Sequence, residues 1–185
     1  MNVIQKKSIM RDIILYIAVS LDGKIADKDG NVDWLYAVEN EEKTDYGYEK
    51  FYSSIDTTLQ GYNTYKQTML LNKEFPHTGK KNYVFTSKEY LQTADHIQFI
   101  SQDILNFIRS LKEKEGKNIW LIGGGKLIAT LFDNDLIDEM QICIMPIVIG
   151  EGISLFNLPV NEQMLKLEEC RQYKNGAIFL RYRKK

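Results

Sequence analysis

The chain has 185 residues, 44% hydrophobic and 26% charged, with 24 Lys and Arg against 25 Asp and Glu for a net charge of −1. That balance fits one globular domain, residues 1–185, large enough to bury most of its apolar surface. It shows none of the basic excess of a nucleic-acid binder. No run reaches the roughly 18 apolar residues of a membrane span, and the first dozen residues are too polar for a signal peptide, so a cytoplasmic protein is expected.

Strands and helices alternate along most of the chain. Residues 13–19 read as a first strand, followed by the loop Ser20-Leu21-Asp22-Gly23-Lys24-Ile25-Ala26 and a turn at Asp29-Gly30-Asn31. A helix is expected over 41–54, with Tyr48, Phe51, Tyr52 and Ile55 on one face. A short strand at 57–61 leads into a helix from Tyr62 to Leu71, and further strands are expected at 82–86 and 97–100. Residues 103–115 form an amphipathic pattern in which Ile104, Leu105, Ile108 and Leu111 share a face and Gly116 ends the helix. After the segment 118–132 comes a long strand over 139–149. The tail is a hairpin, 165–173 and 177–183, turned by Lys174-Asn175-Gly176. The pattern predicts an α/β fold: a mixed, mostly parallel sheet of about eight strands flanked by helices, with an antiparallel C-terminal hairpin.

Cys143 and Cys170 fall in expected strands without CxxC or Cys/His spacing, so neither structural zinc nor a disulfide framework is indicated, and no metal is expected. His77 and His96 are isolated among polar residues, which leaves little for a Ser–His or Cys–His nucleophile.

The segment NIWLIGGGKLIATLF, 118–132, is the most informative. An apolar strand runs into Gly123, Gly124 and Gly125, then into a helix with Leu127, Ile128, Leu131 and Phe132 on one face. Bare backbone at a helix start suits an anion. A tight strand–helix corner that needs glycine only for its dihedrals is the alternative. Ligands of such sheets bind at the carboxyl ends of strands, where both this corner and the 20–26 loop fall.

SLDGKIA (20–26), Asp33-Trp34, DTTLQGYNTY (56–65) and IGGGKL (122–127) occur in the order found in the dihydrofolate-reductase-like superfamily, and the chain resembles it over nearly its whole length. PIVIGEGISLF (146–156) resembles more specifically the reductase domain of bacterial riboflavin biosynthesis and its stand-alone relatives. The resemblance implies an NADPH-dependent reductase that delivers hydride to a flat nitrogen heterocycle, in the riboflavin reaction to C1 of a ribosylamino-pyrimidine phosphate. The deaminase half of bifunctional relatives is absent, since no H-x-E with P-C-x-x-C occurs.

The resemblance brings the turn Gly123-Gly124-Gly125 to the cofactor pyrophosphate, often with a cis peptide between the first two glycines. It sets Ala18, Ile25 and Ala26 beside the nicotinamide, and counts Gly61, Thr64, Ile122, Lys126 and Leu127 among the cofactor-binding residues. An Arg commonly follows the glycine matched by Gly61, where this chain has Tyr62. Thr86 and Ser87 match a hydroxyl pair for the 2′-phosphate, and Lys88 follows as a candidate cation or a solvated loop lysine.

On the substrate side, Trp34 matches a tryptophan that lines the site, with core packing as its alternative. Helical spacing sets Asp45 beside Tyr48 and Tyr52, and a match backward from Gly61 places it where folate-reducing members carry their acid. Beside aromatic walls its pKa would be raised. An ordinary acid in a first helical turn is the alternative. Asp22 is a substrate candidate or a turn residue, and Glu151 marks a bend near the cleft or a dimer contact. A substrate phosphate needs basic residues in the 20–33 and 150–156 loops, where only Lys24 and Lys28 stand out. Dihydropterin reduction and a non-catalytic NADPH-binding module are the rival functions. A homodimer is implied by the family, with 142–149 as a candidate edge.

Overall fold

A computed structural model describes residues 10–88 and 96–185. The strands are β1 (Ile13–Ser20), β2 (Lys24–Asp27), β3 (Ile55–Gly61), β4 (Lys81–Phe85), β5 (Ile97–Ile100), β6 (Asn118–Gly123), β7 (Glu139–Met145), β8 (Gly152–Ser154), β9 (Leu165–Gln172) and β10 (Ile178–Lys184). The helices are α1 (Tyr48–Ser53), α2 (Tyr62–Leu71), α3 (Ile104–Lys112) and α4 (Gly125–Asp133), with a 3₁₀ turn at Asp33–Leu35.

Eight strands form one sheet in the order β5-β4-β3-β6-β1-β7-β10-β9, and β2 pairs with β8 in a second. The six strands from β5 to β7 run parallel. The hairpin β9–β10 joins β7 antiparallel. This is the expected fold class. Because β1 and β6 are buried on both faces, they read as continuous apolar runs rather than alternating ones.

One face of the sheet carries Ile13, Leu15, Leu59, Ile119 and Leu121 against Ile108 and Leu111 of α3 and Ile128 and Leu131 of α4. Each fully buried Leu or Ile there contributes about 1.5–3 kcal/mol. The opposite face presents Ile14, Ile55 and Trp120 to Phe51, with Tyr16, Tyr48, Tyr52 and Ile122 around them. Over β3, β4 and β6 that face is covered by α1, by α2 through Tyr62 and Tyr65, and by Phe75 and His77, whereas over the carboxyl halves of β1 and β7 the 33–46 segment leaves space.

Three expectations are corrected. The helix over 41–54 is confined to Tyr48–Ser53. Lys43, Tyr46 and Gly47 take φ of 49°, 54° and 90°, which no right-handed helix accommodates. Asn40 instead closes a turn, accepting from the Thr44 amide at 3.0 Å and donating to the Thr44 carbonyl at 2.9 Å. The strand over 139–149 stops at Met145, where the Ile147 amide turns back to the Met145 carbonyl and the Leu21 amide takes the Ile147 carbonyl. Since β7 lies between β1 and β10, the 142–149 run supplies no sheet edge. The two-stranded β2–β8 sheet lies within segments expected as loops. It depends on Gly152, where a Cβ would stand 2.3 Å from the Ala26 carbonyl oxygen.

Candidate functional site: a glycine corner and an adjoining cavity

β3 and β6 are neighbours, and each runs directly into a helix whose N-cap is glycine: Gly61 for α2 and Gly124 for α4. Neither cap has a side-chain hydrogen bond. The first-turn N–H groups of a helix have no partner within it. The two caps also touch: a Cβ on Gly61 would lie 3.8 Å from the Gly124 nitrogen and 3.9 Å from the Gly123 oxygen. Two positive helix ends therefore meet at the carboxyl edge of the sheet. This is a stronger anion site than one glycine turn provides.

The triple glycine is required sterically as well. Gly123 has φ +136°, and the Gly123–Gly124 peptide is cis. A Cβ on Gly124 would approach the Thr64 hydroxyl at 3.0 Å, and one on Gly125 would lie 2.3 Å from the Ser154 carbonyl oxygen. The Asn157 amide bonds the Gly125 carbonyl at 3.2 Å, so the chain after β8 straps the corner. The Lys24 ammonium bonds the Ser154 hydroxyl at 3.1 Å and so stands beside that strap. Of the two sequence alternatives, the tight packing is seen directly in these contacts, and it leaves the glycine backbone bare at the helix start. Ile122 and Leu127 are packing residues on opposite faces of the sheet, and Lys126 is exposed.

A second patch lies one strand further out. Thr86, the residue after β4, is buried, and its hydroxyl accepts from the Lys88 amide at 3.0 Å; Ser87 and Lys88 are exposed. The Lys88 ammonium is 5.0 Å from the centre of the Tyr62 ring, and the Lys66 ammonium is 5.4 Å from it. Tyr62, which departs from the expected Arg, thus gathers two cations by cation–π attraction. Sequence reasoning missed Lys66, although its position one helical turn after Tyr62 was a usable signal.

On the face away from α3 and α4, a cavity of about 500 Å³ is lined by Tyr16, Ala18, Glu39, Asp45, Tyr48 and Cys143, among others. Ala18 and Cys143 pair across β1 and β7, giving a floor of small side chains. Tyr16 stacks on Phe51 with ring centres 4.4 Å apart. Burial pushes the Tyr16 phenol well above its ordinary value and the Tyr48 phenol up to about 12. Burial likewise raises the Cys143 thiol to about 11. Tyr16 too was missed, although its alternation with Ala18 along β1 puts both on one face.

Asp45 stands on the rim of this cavity but not on a helix. Its carboxylate accepts from the Gly47 amide at 2.9 Å and the Glu49 amide at 2.8 Å, opening α1. Those bonds, the one from Glu49 first, hold its pKa below the usual carboxylate range. The expected rise in pKa is therefore corrected: the group is exposed and stabilised as an anion.

Other expected site residues serve elsewhere. Asp22 accepts from the Ser20 hydroxyl at 2.7 Å and from the Ile149 and Gly150 amides, and these bonds depress its pKa. It clasps two loops together. Tyr52 packs toward His77 and Trp120, with Lys80 4.2 Å from its ring centre. It does not line the cavity. Trp34 packs with Ala18, Cys143, Met145 and Tyr46, and its indole N–H is buried without an acceptor among the described residues. Ile25 and Ala26 belong to β2, with Ala26 buried. Glu151 is exposed. His77, expected in a polar loop, is buried among Tyr52, Phe75 and Trp120, and desolvation lowers its pKa to about 4.

Among the described residues, no cluster of His, Cys, Asp and Glu is arranged to hold a metal ion, and no helix is long and apolar enough to cross a membrane.

Known proteins resemble this chain in sequence or in fold. The uncharacterized protein YwjB of Bacillus subtilis is 41% identical over 172 residues, covering 93% of this chain and 97% of its own. The structure of a putative riboflavin biosynthesis protein from Shewanella sp. PV-4 superposes with a TM-score of 0.84 at 29% identity, over 94% of this chain and 99% of that one. Dihydrofolate reductase from Enterococcus faecalis, in a complex with NADP(H), shares the fold with a TM-score of 0.64 at 13% identity, over 94% and 96% of the two chains. The family model of the RibD C-terminal domain matches residues 11–179. With the glycine corner, the mixed sheet and the C-terminal hairpin all in place, this chain belongs to the RibD C-terminal domain family.

Proposed function

We propose that the protein is a cytoplasmic, NADPH-dependent reductase of a small planar heterocycle. The observation that carries this reading is the pair of touching glycine-capped helix ends. They fit a diphosphate, which needs convergent N–H donors and close backbone approach. Gly61, Thr64, Gly123, Gly124 and Gly125 would hold it, with Lys24 adding positive charge from the strap. Thr86, Ser87, Lys66 and Lys88 suit a further phosphate monoester, which favours NADPH over NADH. Ala18, on the small-residue floor of the cavity, leaves room for a flat ring.

When bound, NADPH supplies a hydride, and one proton at the heteroatom completes reduction of a C=N or C=O bond. The cavity's own groups determine orientation and proton supply. Tyr16 and Tyr48 keep their protons at neutral pH because burial disfavours the phenolate. Tyr48 can present its hydroxyl to the substrate heteroatom. Asp45, held ionised, accepts hydrogen bonds rather than giving a proton.

Calorimetry of NADPH and NADH binding to the protein and to a Lys66→Ala/Lys88→Ala variant tests the reading. The variant should bind NADPH about tenfold more weakly, the loss of one charge-assisted hydrogen bond, with NADH unaffected. No heat with NADPH on the unaltered protein would refute the reading. Heat without NADPH oxidation by any heterocycle would mark the binding-module alternative.

A further inference from the structure

We propose that the cavity takes an amine-bearing planar ring without a phosphate group, in contrast to the phosphorylated ribosylamino-pyrimidine of the riboflavin reaction. This rests on the reductase reading above, because it assigns the cavity to the substrate.

The walls decide it. Among the described residues, the cavity beside Ala18 is lined by Glu39 and Asp45 and by no Lys, Arg or His. Both carboxylates are exposed at its rim. The backbone carbonyls of Asp45 and Tyr46 also lie at this wall, 3.5 and 3.4 Å from the Tyr16 hydroxyl. Apart from the phenols, these are acceptors. They suit exocyclic amino groups and ring N–H donors, and they repel an anion.

The neighbouring space is acidic as well. A second cavity of about 540 Å³ shares Val38, Glu39 and Asn40 with the first and adds Glu41, Glu42 and Lys174. Its one cation is already committed, since Lys174 is ion-paired to Glu42. Arg171 reaches the hydroxyl of Tyr173, another lining residue, at 3.3 Å, but its guanidinium is paired with Glu169. A phosphate dianion on a ribityl tail would meet Glu39 and Glu41 beside the mutually neutralised Glu42–Lys174 pair.

The two loop lysines are not available to this space either. Lys24 is bonded to Ser154 at the glycine corner, and Lys28 is exposed in the turn after β2. The cations of the cleft stand at the corner and around Tyr62, where the cofactor's phosphates are proposed. Positive charge serves one ligand and negative charge the other, and this separation also keeps the cofactor's phosphates out of the substrate cavity.

Calorimetric titration of 5-amino-6-(ribitylamino)uracil and of its 5′-phosphate into the NADP⁺-saturated protein tests this, because the two probes differ only in the phosphate. The unphosphorylated compound should bind at least tenfold tighter, and Glu39→Lys should shrink or invert that ratio. Equal affinities, tighter binding of the phosphate, or no binding of either compound overturns the inference. A parallel NADPH titration separates the two failures: no cofactor heat refutes the reductase reading, whereas normal cofactor binding with the wrong preference refutes only the substrate class.

Discussion

At the glycine corner the backbone itself faces the cleft, through two helix ends with glycine caps, with Lys24 beside its strap and Lys66 and Lys88 gathered on Tyr62 one strand further out. In the cavity over β1 and β7 the wall is made of side chains, phenols and carboxylates on a small-residue floor. The first surface tolerates almost no substitution, because a Cβ on Gly125 would sit within the strap. The second can change its ligand by exchanging a few exposed residues. On the proposed reading, a fold family can keep one cofactor site and diversify its substrates, since the constraint is steric at one end and chemical at the other.

The largest effect should come from breaking the corner. In Gly125→Ala the new methyl group would lie 2.3 Å from the Ser154 carbonyl and 2.8 Å from the Asn157 Cβ. Neither is the far end of a flexible side chain, so the strap must move, at a cost of about 1–3 kcal/mol. NADPH affinity should fall by roughly 100-fold, the equivalent of about 2.7 kcal/mol. Gly79→Ala is the control, since a Cβ there meets nothing within 4 Å. Calorimetric dissociation constants for the two variants decide the matter. An unchanged value for Gly125→Ala would mean that the diphosphate lies elsewhere.

A smaller effect should distinguish two neighbouring tyrosines. Tyr48 and Tyr52 stack with ring centres 5.4 Å apart, yet only Tyr48 lines the cavity. Tyr48→Phe keeps the aromatic packing and removes one hydroxyl, so kcat should fall by about tenfold, the loss of one hydrogen bond of about 1.4 kcal/mol to the reacting heteroatom. Tyr52→Phe should leave kcat within a factor of about two, with its ring still packed on Trp120. Steady-state rates across pH separate a proton donor from a packing group. The unaltered enzyme should keep its activity from pH 6 to 9, below the raised Tyr48 pKa of about 12.

The same contrast explains what could be read from the chain. The sheet was legible because β1 and β6 are short apolar runs ended by a polar loop or glycine, β3 because its β-branched threonines run into a glycine before a helix, and the hairpin because Asn175-Gly176 permits a tight turn. The corner was legible because its constraint is local: three successive glycines announce backbone approach. The cavity was less so. Asp45, Tyr48 and Tyr52 have helical spacing, but positive φ at Tyr46 and Gly47 ends that periodicity before Asp45 is reached. Glu39 comes to the wall through a long-range contact, its carbonyl accepting from Asn175 at 3.1 Å, and no pattern within 33–46 encodes that. Likewise the Asp22 clasp depends on amides 127 and 128 residues away.

Gln60, immediately before the Gly61 cap, offers the finest test of the border between the two regions. It is 0% exposed, and neither its amide nitrogen nor its oxygen has a hydrogen-bond partner among the described residues. A buried amide left unpaired costs about 1–3 kcal/mol, whereas an apolar side chain of similar shape avoids that cost. Gln60→Met should therefore raise stability by about 1 kcal/mol, a shift of roughly 2–4 °C in Tm for a chain of this size. The side chain is sealed from solvent, so the NADPH dissociation constant should stay within about twofold, as expected for a change that leaves both helix caps untouched. A lower Tm would mean that the amide does find a partner in solution, such as a buried water. An unchanged Tm with weakened NADPH binding would move the boundary of the cofactor site one residue back along β3, from the backbone of Gly61 to the side chain of Gln60.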